Sequence, residues 1–119
     1  MAGIKRFEEL LAWQKSHNFV LEVYKITNDF PKIEEFGLKS QLRRAVVSIP
    51  SNVVEGFKRK GLNDSCHFYN ISQGSLEECK YQLRLARDLG YINNAKYDNI
   101  IILADEVGKL LHGWIKIQK

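Results

Sequence analysis

Hydrophobic positions recur every three or four residues in four stretches of the chain, and each of the first three stops at a helix breaker. In the first, Leu10, Trp13, Val20 and Tyr24, with His17 between them, mark one face of a helix from Phe7 to Tyr24. Asn28-Asp29-Phe30-Pro31 ends it, since proline turns the preceding residue away from helical geometry and Asn and Asp favour turns. A connector then reaches Gly37. Leu38, Leu42, Ala45, Ile49 and Val53 predict a second helix ending at Gly56, with Lys39, Arg43 and Arg44 on its other faces. The apolar spacing stays in phase across Pro50, which predicts one kinked helix in place of two. The stretch from Gly56 to Ser65 holds two glycines, the basic run Lys58-Arg59-Lys60 and good capping residues, and reads as a turn. Tyr69, Ser72, Leu76, Cys79, Leu83 and Ala86 mark a third helix, stopped at Gly90. Tyr97, Ile100, Ile101, Ala104, Val107, Leu111, Trp114 and Ile115 give a fourth, with a wide apolar face.

The connections are short beside the helices, which makes sequential helices antiparallel and predicts an all-α, up-down-up-down four-helix bundle. A three-helix alternative would need the second helix to break at Pro50. Ile100, Ile101, Ile102 and Leu103 are consecutive and cover every side of the last helix. Self-association would bury what the bundle core does not reach, although single exposed apolar residues are common.

Composition narrows the picture only a little. With 119 residues, 45% of them hydrophobic, the chain suits one domain over residues 1–119 with one core. The amino terminus runs into charge without a signal-like apolar core, and no apolar run nears the ~20 residues that cross a bilayer. A cytoplasmic protein without membrane association is expected. Cys66 and Cys79 fall on one helix, roughly 20 Å apart at its rise per residue, so they are expected to be free thiols. The net charge of +4 is compatible with a nucleic-acid partner without requiring one.

Candidate chemistry is sparse. Ser48, Asn52 and Glu55 form a polar line on the second helix, and Ser75 and Glu78 a similar line on the third. Meeting between the helices, they would form a hydrogen-bonded network that fixes helix register. Reading Glu55 and Glu78 as a catalytic pair lacks a nucleophile or a partner acid or base, so no enzyme is expected. No Glu-x-x-His motif supports a di-iron site, and His17, His67 and His112 lack ligand spacing, so neither metal nor cofactor is expected. Gly56 and Gly61 have Walker A spacing, but Leu62-Asn63 follow in place of Lys and Ser or Thr. Lys39, Arg43, Arg44, Lys58, Arg59 and Lys60 remain as candidate phosphate contacts for RNA or DNA, with only Phe57 as an aromatic beside the basic run.

Several spaced motifs occur together: Phe7-Glu8-Glu9-Leu10 with Trp13-Gln14, Phe30-Pro31, Gln41-Leu42-Arg43-Arg44-Ala45, Ser48-Ile49-Pro50-Ser51-Asn52 followed by Glu55-Gly56, Gly74-Ser75 with Glu78, and Leu89-Gly90-Tyr91-Ile92. In this combination the chain resembles the bacterial four-helix-bundle family encoded in 23S ribosomal RNA intervening sequences. Val53-Val54 stands where that family often has Ile-Ala. The resemblance implies a left-handed four-helix bundle assembled as a homopentamer with a central channel. It also implies a fold similar to the accessory protein of diversity-generating retroelements, a pentameric bundle that binds nucleic acid and a reverse transcriptase. It gives no reason to call the chain a ribosome component. A non-enzymatic oligomer that binds nucleic acid is the leading expectation, and a scaffold for a protein partner the alternative.

Overall fold

The four periodic stretches form four long helices in the structure, a computed structural model that describes residues 3–118. Helix α1 spans Leu11–Thr27, α2 Leu38–Lys58, α3 Leu62–Asp88 and α4 Asn94–Gln118. Short 3-10 turns at Phe7–Glu9 and Lys32–Glu34 lead into α1 and α2. Each helix packs against its two neighbours in a closed square, α1 on α2, α2 on α3, α3 on α4 and α4 on α1, and among the described residues no backbones approach closely across a diagonal. Sequential helices run antiparallel, which makes the fold an all-α, up-down-up-down four-helix bundle. Its long axis is 45 Å, close to the roughly 40 Å that the 27 residues of α3 span. No described helix is long and apolar enough to cross a membrane.

Local chemistry sets the helix ends. After α3, Gly90 takes the left-handed conformation at φ 82°. The N–H of Tyr91 then reaches back to the Ala86 carbonyl at 2.8 Å and that of Gly90 to Arg87 at 2.9 Å, a Schellman ending that turns the chain within five residues. Asn93 starts α4 by accepting the Lys96 N–H at 2.8 Å. At the head of α2, the Glu34 carboxylate accepts the Leu38 N–H at 2.9 Å and the Tyr91 hydroxyl at 2.8 Å, tying two connectors to one helix end. Gly37 makes room for it, since a Cβ there would lie 2.6 Å from Glu34 Oε1. The Leu38 amide and then the Tyr91 hydroxyl hold the Glu34 pKa below its ordinary value.

The largest helix interface joins α2 to α3. Small residues let the two backbones approach closely. Gly56 is buried, and a Cβ on it would stand 2.8 Å from Tyr69 Cδ1 and 2.9 Å from the Ser65 carbonyl. Farther along the seam, the Ser48 and Ser75 hydroxyls share a hydrogen bond of 2.8 Å, and Asn52 Nδ2 donates to the Ser48 carbonyl at 2.8 Å and to Ser48 Oγ at 3.0 Å. Buried Ser72 donates to the Ile49 carbonyl at 2.8 Å. The expected network therefore forms around Ser48, Asn52 and Ser75 and recruits Ser72. It does not take in Glu55 or Glu78. Glu55 is exposed and sits 3.4 Å from Arg59, and exposed Glu78 accepts from Gln82 at 3.1 Å. Burying a carboxylate without a charged partner is far costlier than burying a hydroxyl, so the two glutamates turn outward while the serines remain in the seam. Helix α2 continues unbroken through buried Pro50, which rules out the three-helix alternative.

On α1 the core face differs from the expected one. Ala12, Ser16, Phe19, Val23 and Thr27 are buried, while Trp13 and Val20 are half-buried and His17 and Tyr24 exposed. The hydroxyls of Ser16 and Thr27 hid this face. Each bonds to a carbonyl four residues back, at 2.6 and 2.8 Å, and so enters the core with its polar group satisfied. The bulkier stripe flanks the bundle, with Trp13 stacked on His17 at 5.2 Å and edge-on to Phe7 at 5.1 Å. Helix α4 is held from both sides by ion pairs, Lys15 to Glu106 at 3.2 Å from α1 and Lys80 to Asp105 at 2.9 Å from α3. Both cysteines are free, and burial pushes the Cys79 thiol up to about 12.

Two outcomes follow from these contacts. Gly56→Ala forces Tyr69 or the α3 backbone to shift, and chemical denaturation should show a loss of about 1–3 kcal/mol, the usual cost of overpacking. Because the folded Glu34 has a lowered pKa, its contribution is complete above the ordinary glutamate value of about 4.3 and fades as pH falls through the folded value. Glu34→Gln should therefore be less stable than the parent at pH 7, and the gap should close on acidification in a pH series of melting curves.

Candidate nucleic-acid interface

The six candidate cations all lie on α2 and the turn after it, but the helix separates them. Lys39, Arg43 and Arg44 occupy its first half, and Lys58, Arg59 and Lys60 its far end. Arg44 and Lys58 are about 21 Å apart along the axis. The structure thus forms two basic groups in place of one patch.

In the first group, Arg43 is bound into the fold. Its Nε donates to Thr27 Oγ1 at 2.8 Å, its Nη2 to the Tyr24 carbonyl at 3.1 Å and to Asn28 Oδ1 at 3.0 Å, and the guanidinium lies 4.3 Å over the Tyr24 ring. These bonds fasten the end of α1 to α2. Lys39 pairs with Glu35 one turn earlier at 3.0 Å. Arg44 is exposed and makes no ion pair among the described residues.

These residues line a groove of about 510 Å³ between the α1–α2 connector and α2, with Tyr24, Phe36 and Val47 as its apolar part. Phe36 is 95% exposed, a whole aromatic ring held in water. Sequence reasoning passed over it because it sits in the connector, outside any periodic stretch. The available signal was its place between the paired Glu35 and the helix-starting Gly37, where no core position can claim it.

The second group crowns the α2–α3 turn. The Arg59 guanidinium lies 4.5 Å over the Phe68 ring, with its Nη2 3.4 Å from Glu55. Lys58 and Lys60 are exposed and form no ion pair among the described residues. Phe57 is half-buried against the core, so it presents no free ring to a base. Among the described residues, no three His, Cys, Asp or Glu side chains come together in a group able to hold a metal ion.

No curated protein matches the chain. Among solved structures, the chain is similar to a protein with unknown function from the S23 ribosomal protein family of Bacteroides thetaiotaomicron, determined at 1.70 Å. The TM-score is 0.82 at 26% sequence identity, over 89% of this chain and 99% of that one. The family model for the 23S rRNA-intervening sequence protein matches residues 8–113, a span that takes in α1, α2, α3 and most of α4. The chain belongs to the 23S rRNA-intervening sequence protein family.

Proposed function

We propose that this chain is a non-enzymatic, oligomeric nucleic-acid-binding protein that engages RNA, or DNA, chiefly through phosphates. The observation that carries this reading is the groove where exposed Phe36 stands among Lys39, Arg43 and Arg44. A base stacked on such a ring is worth about 1–3 kcal/mol, and cations beside it meet the phosphates on either side. Lys58, Arg59 and Lys60 offer a second phosphate contact farther along the same strand. Glu35 shares the groove and offsets part of its charge, so the interaction of one subunit is weak. Assembly strengthens it, because linked copies present several grooves to one strand. A homo-oligomer, pentameric as the family resemblance implies, draws support from Ile102, 59% exposed on the outer side of α4.

A second reading, an assembly that serves as a scaffold for a protein partner, is favoured by the exposed apolar side chains of Ile33 and Phe36 on one connector. A filter-binding salt series with single-stranded RNA separates the two. Affinity should fall steeply with salt, Arg44→Glu and Lys60→Glu should each reduce the slope by about 1, and Phe36→Ala should weaken binding with the slope unchanged. Binding that is absent at low salt, or indifferent to salt, would rule out the nucleic-acid reading and leave the scaffold.

A further inference from the structure

At the end of the bundle where α2 turns into α3, Arg59, Lys60 and the start of α3 frame a cleft of about 270 Å³. Gly61 is the N-cap of α3 and brings no side chain to the first turn. The first amide bonded inside the helix is that of Ser65, to the Gly61 carbonyl at 3.0 Å, so the N–H groups of Leu62, Asn63 and Asp64 have no helical acceptor. A long helix also carries partial positive charge at this end. An independent observation lies deeper in the cleft. Trp114, only 9% exposed, lines it, and its indole N–H is buried without a hydrogen-bond partner. That N–H faces the phenol of Tyr69 without reaching hydrogen-bond geometry, and Tyr69, 2% exposed and also on the cleft wall, has no hydrogen-bond partner for its hydroxyl among the described residues. Burial raises the Tyr69 pKa, so the phenol keeps its proton and can donate it. Ser65 Oγ, also on the wall, has only a stretched contact of 3.5 Å to the Arg59 carbonyl. Among the described residues no Asp or Glu lines the cleft, and neither Asp64 in the first turn nor Glu55 beside Arg59 is part of its wall.

We propose that this cleft binds a phosphomonoester. Lys60, the helix amides and the Ser65 and Tyr69 hydroxyls offer more donors than a carboxylate can use, and a terminal phosphate brings three strong acceptor oxygens. A cleft backed by buried Tyr69 and Trp114 admits a phosphate at the end of a molecule more readily than one flanked by sugars on both sides. Either a small phosphorylated compound or the 5′-phosphate of a nucleic acid supplies that chemistry. The site stands apart from the Phe36 groove, and its test does not depend on strand binding.

The experiment is a ¹H–¹⁵N NMR titration of the whole chain with inorganic phosphate at constant ionic strength, with chloride as the reference anion. The amides of residues 62–65 and the Trp114 indole N–H should shift together and saturate, and Lys60→Ala, a change at an exposed site, should weaken the affinity by about tenfold. Tyr69→Phe, if folded, should weaken it as well, while Phe36→Ala and Arg44→Glu should leave it unchanged. Displacement of phosphate by glycerol 3-phosphate, or by a 5′-phosphorylated oligonucleotide but not its 5′-hydroxyl counterpart, supports the site and identifies the source. Shifts no larger than those with chloride, an unchanged affinity in Lys60→Ala, or equal displacement by the 5′-hydroxyl oligonucleotide would overturn it.

Discussion

The Tyr69 ring packs against the bare Cα of Gly56, and around that point α2 and α3 approach more closely than side chains of ordinary size would allow. The serine contacts along the seam need the same closeness. Ser48 reaches Ser75, and Ser72 reaches the Ile49 carbonyl, only because no bulky group separates the two backbones. Hydroxyls in such a seam stabilise modestly when paired and cost about 1–3 kcal/mol when left unpaired, so they penalise any other register of α2 on α3. Helices α1 and α4 complete the square against this pair, with apolar faces inward and ion pairs at the margins.

The same seam places the charges. It fixes α2 as a rod with a basic group at each end, and the tight turn from Arg59 to Gly61 delivers Arg59 and Lys60 beside the uncapped start of α3. At the opposite end, Arg43 gives its donors to α1 and thereby sets the wall of the groove in which Phe36 and Arg44 stand free. One arginine that holds the fold and another that faces solvent are adjacent in sequence. Only the ~100° of helical rotation between them separates structure from candidate function.

Helix number, order and connections were legible in the sequence because hydrophobic period and breakers are local signals. The four-helix architecture followed from them, and the family from the spaced motifs, above all Ser48-Ile49-Pro50-Ser51-Asn52 with Glu55-Gly56. The core face of α1 was not legible, since Ser16 and Thr27 look polar until their hydroxyls are seen bonded to their own helix. The polar seam was half legible. Spacing put Ser48, Asn52 and Glu55 on one line, but only the cost of burying a carboxylate decides that Glu55 leaves it. The candidate contacts were legible by residue type and not by grouping, because the list could not say that Arg43 is occupied or that Phe36 in the connector supplies the free ring.

Native-state hydrogen exchange followed residue by residue is the most direct test of the α2–α3 seam as the organising contact. If the seam holds the bundle together, the amides around Ile49–Val53 on α2 and Ser72–Cys79 on α3 exchange only by global unfolding, while those of α1 open earlier. Protection in α1 and α4 that equals or exceeds that of α2 and α3 would contradict the account.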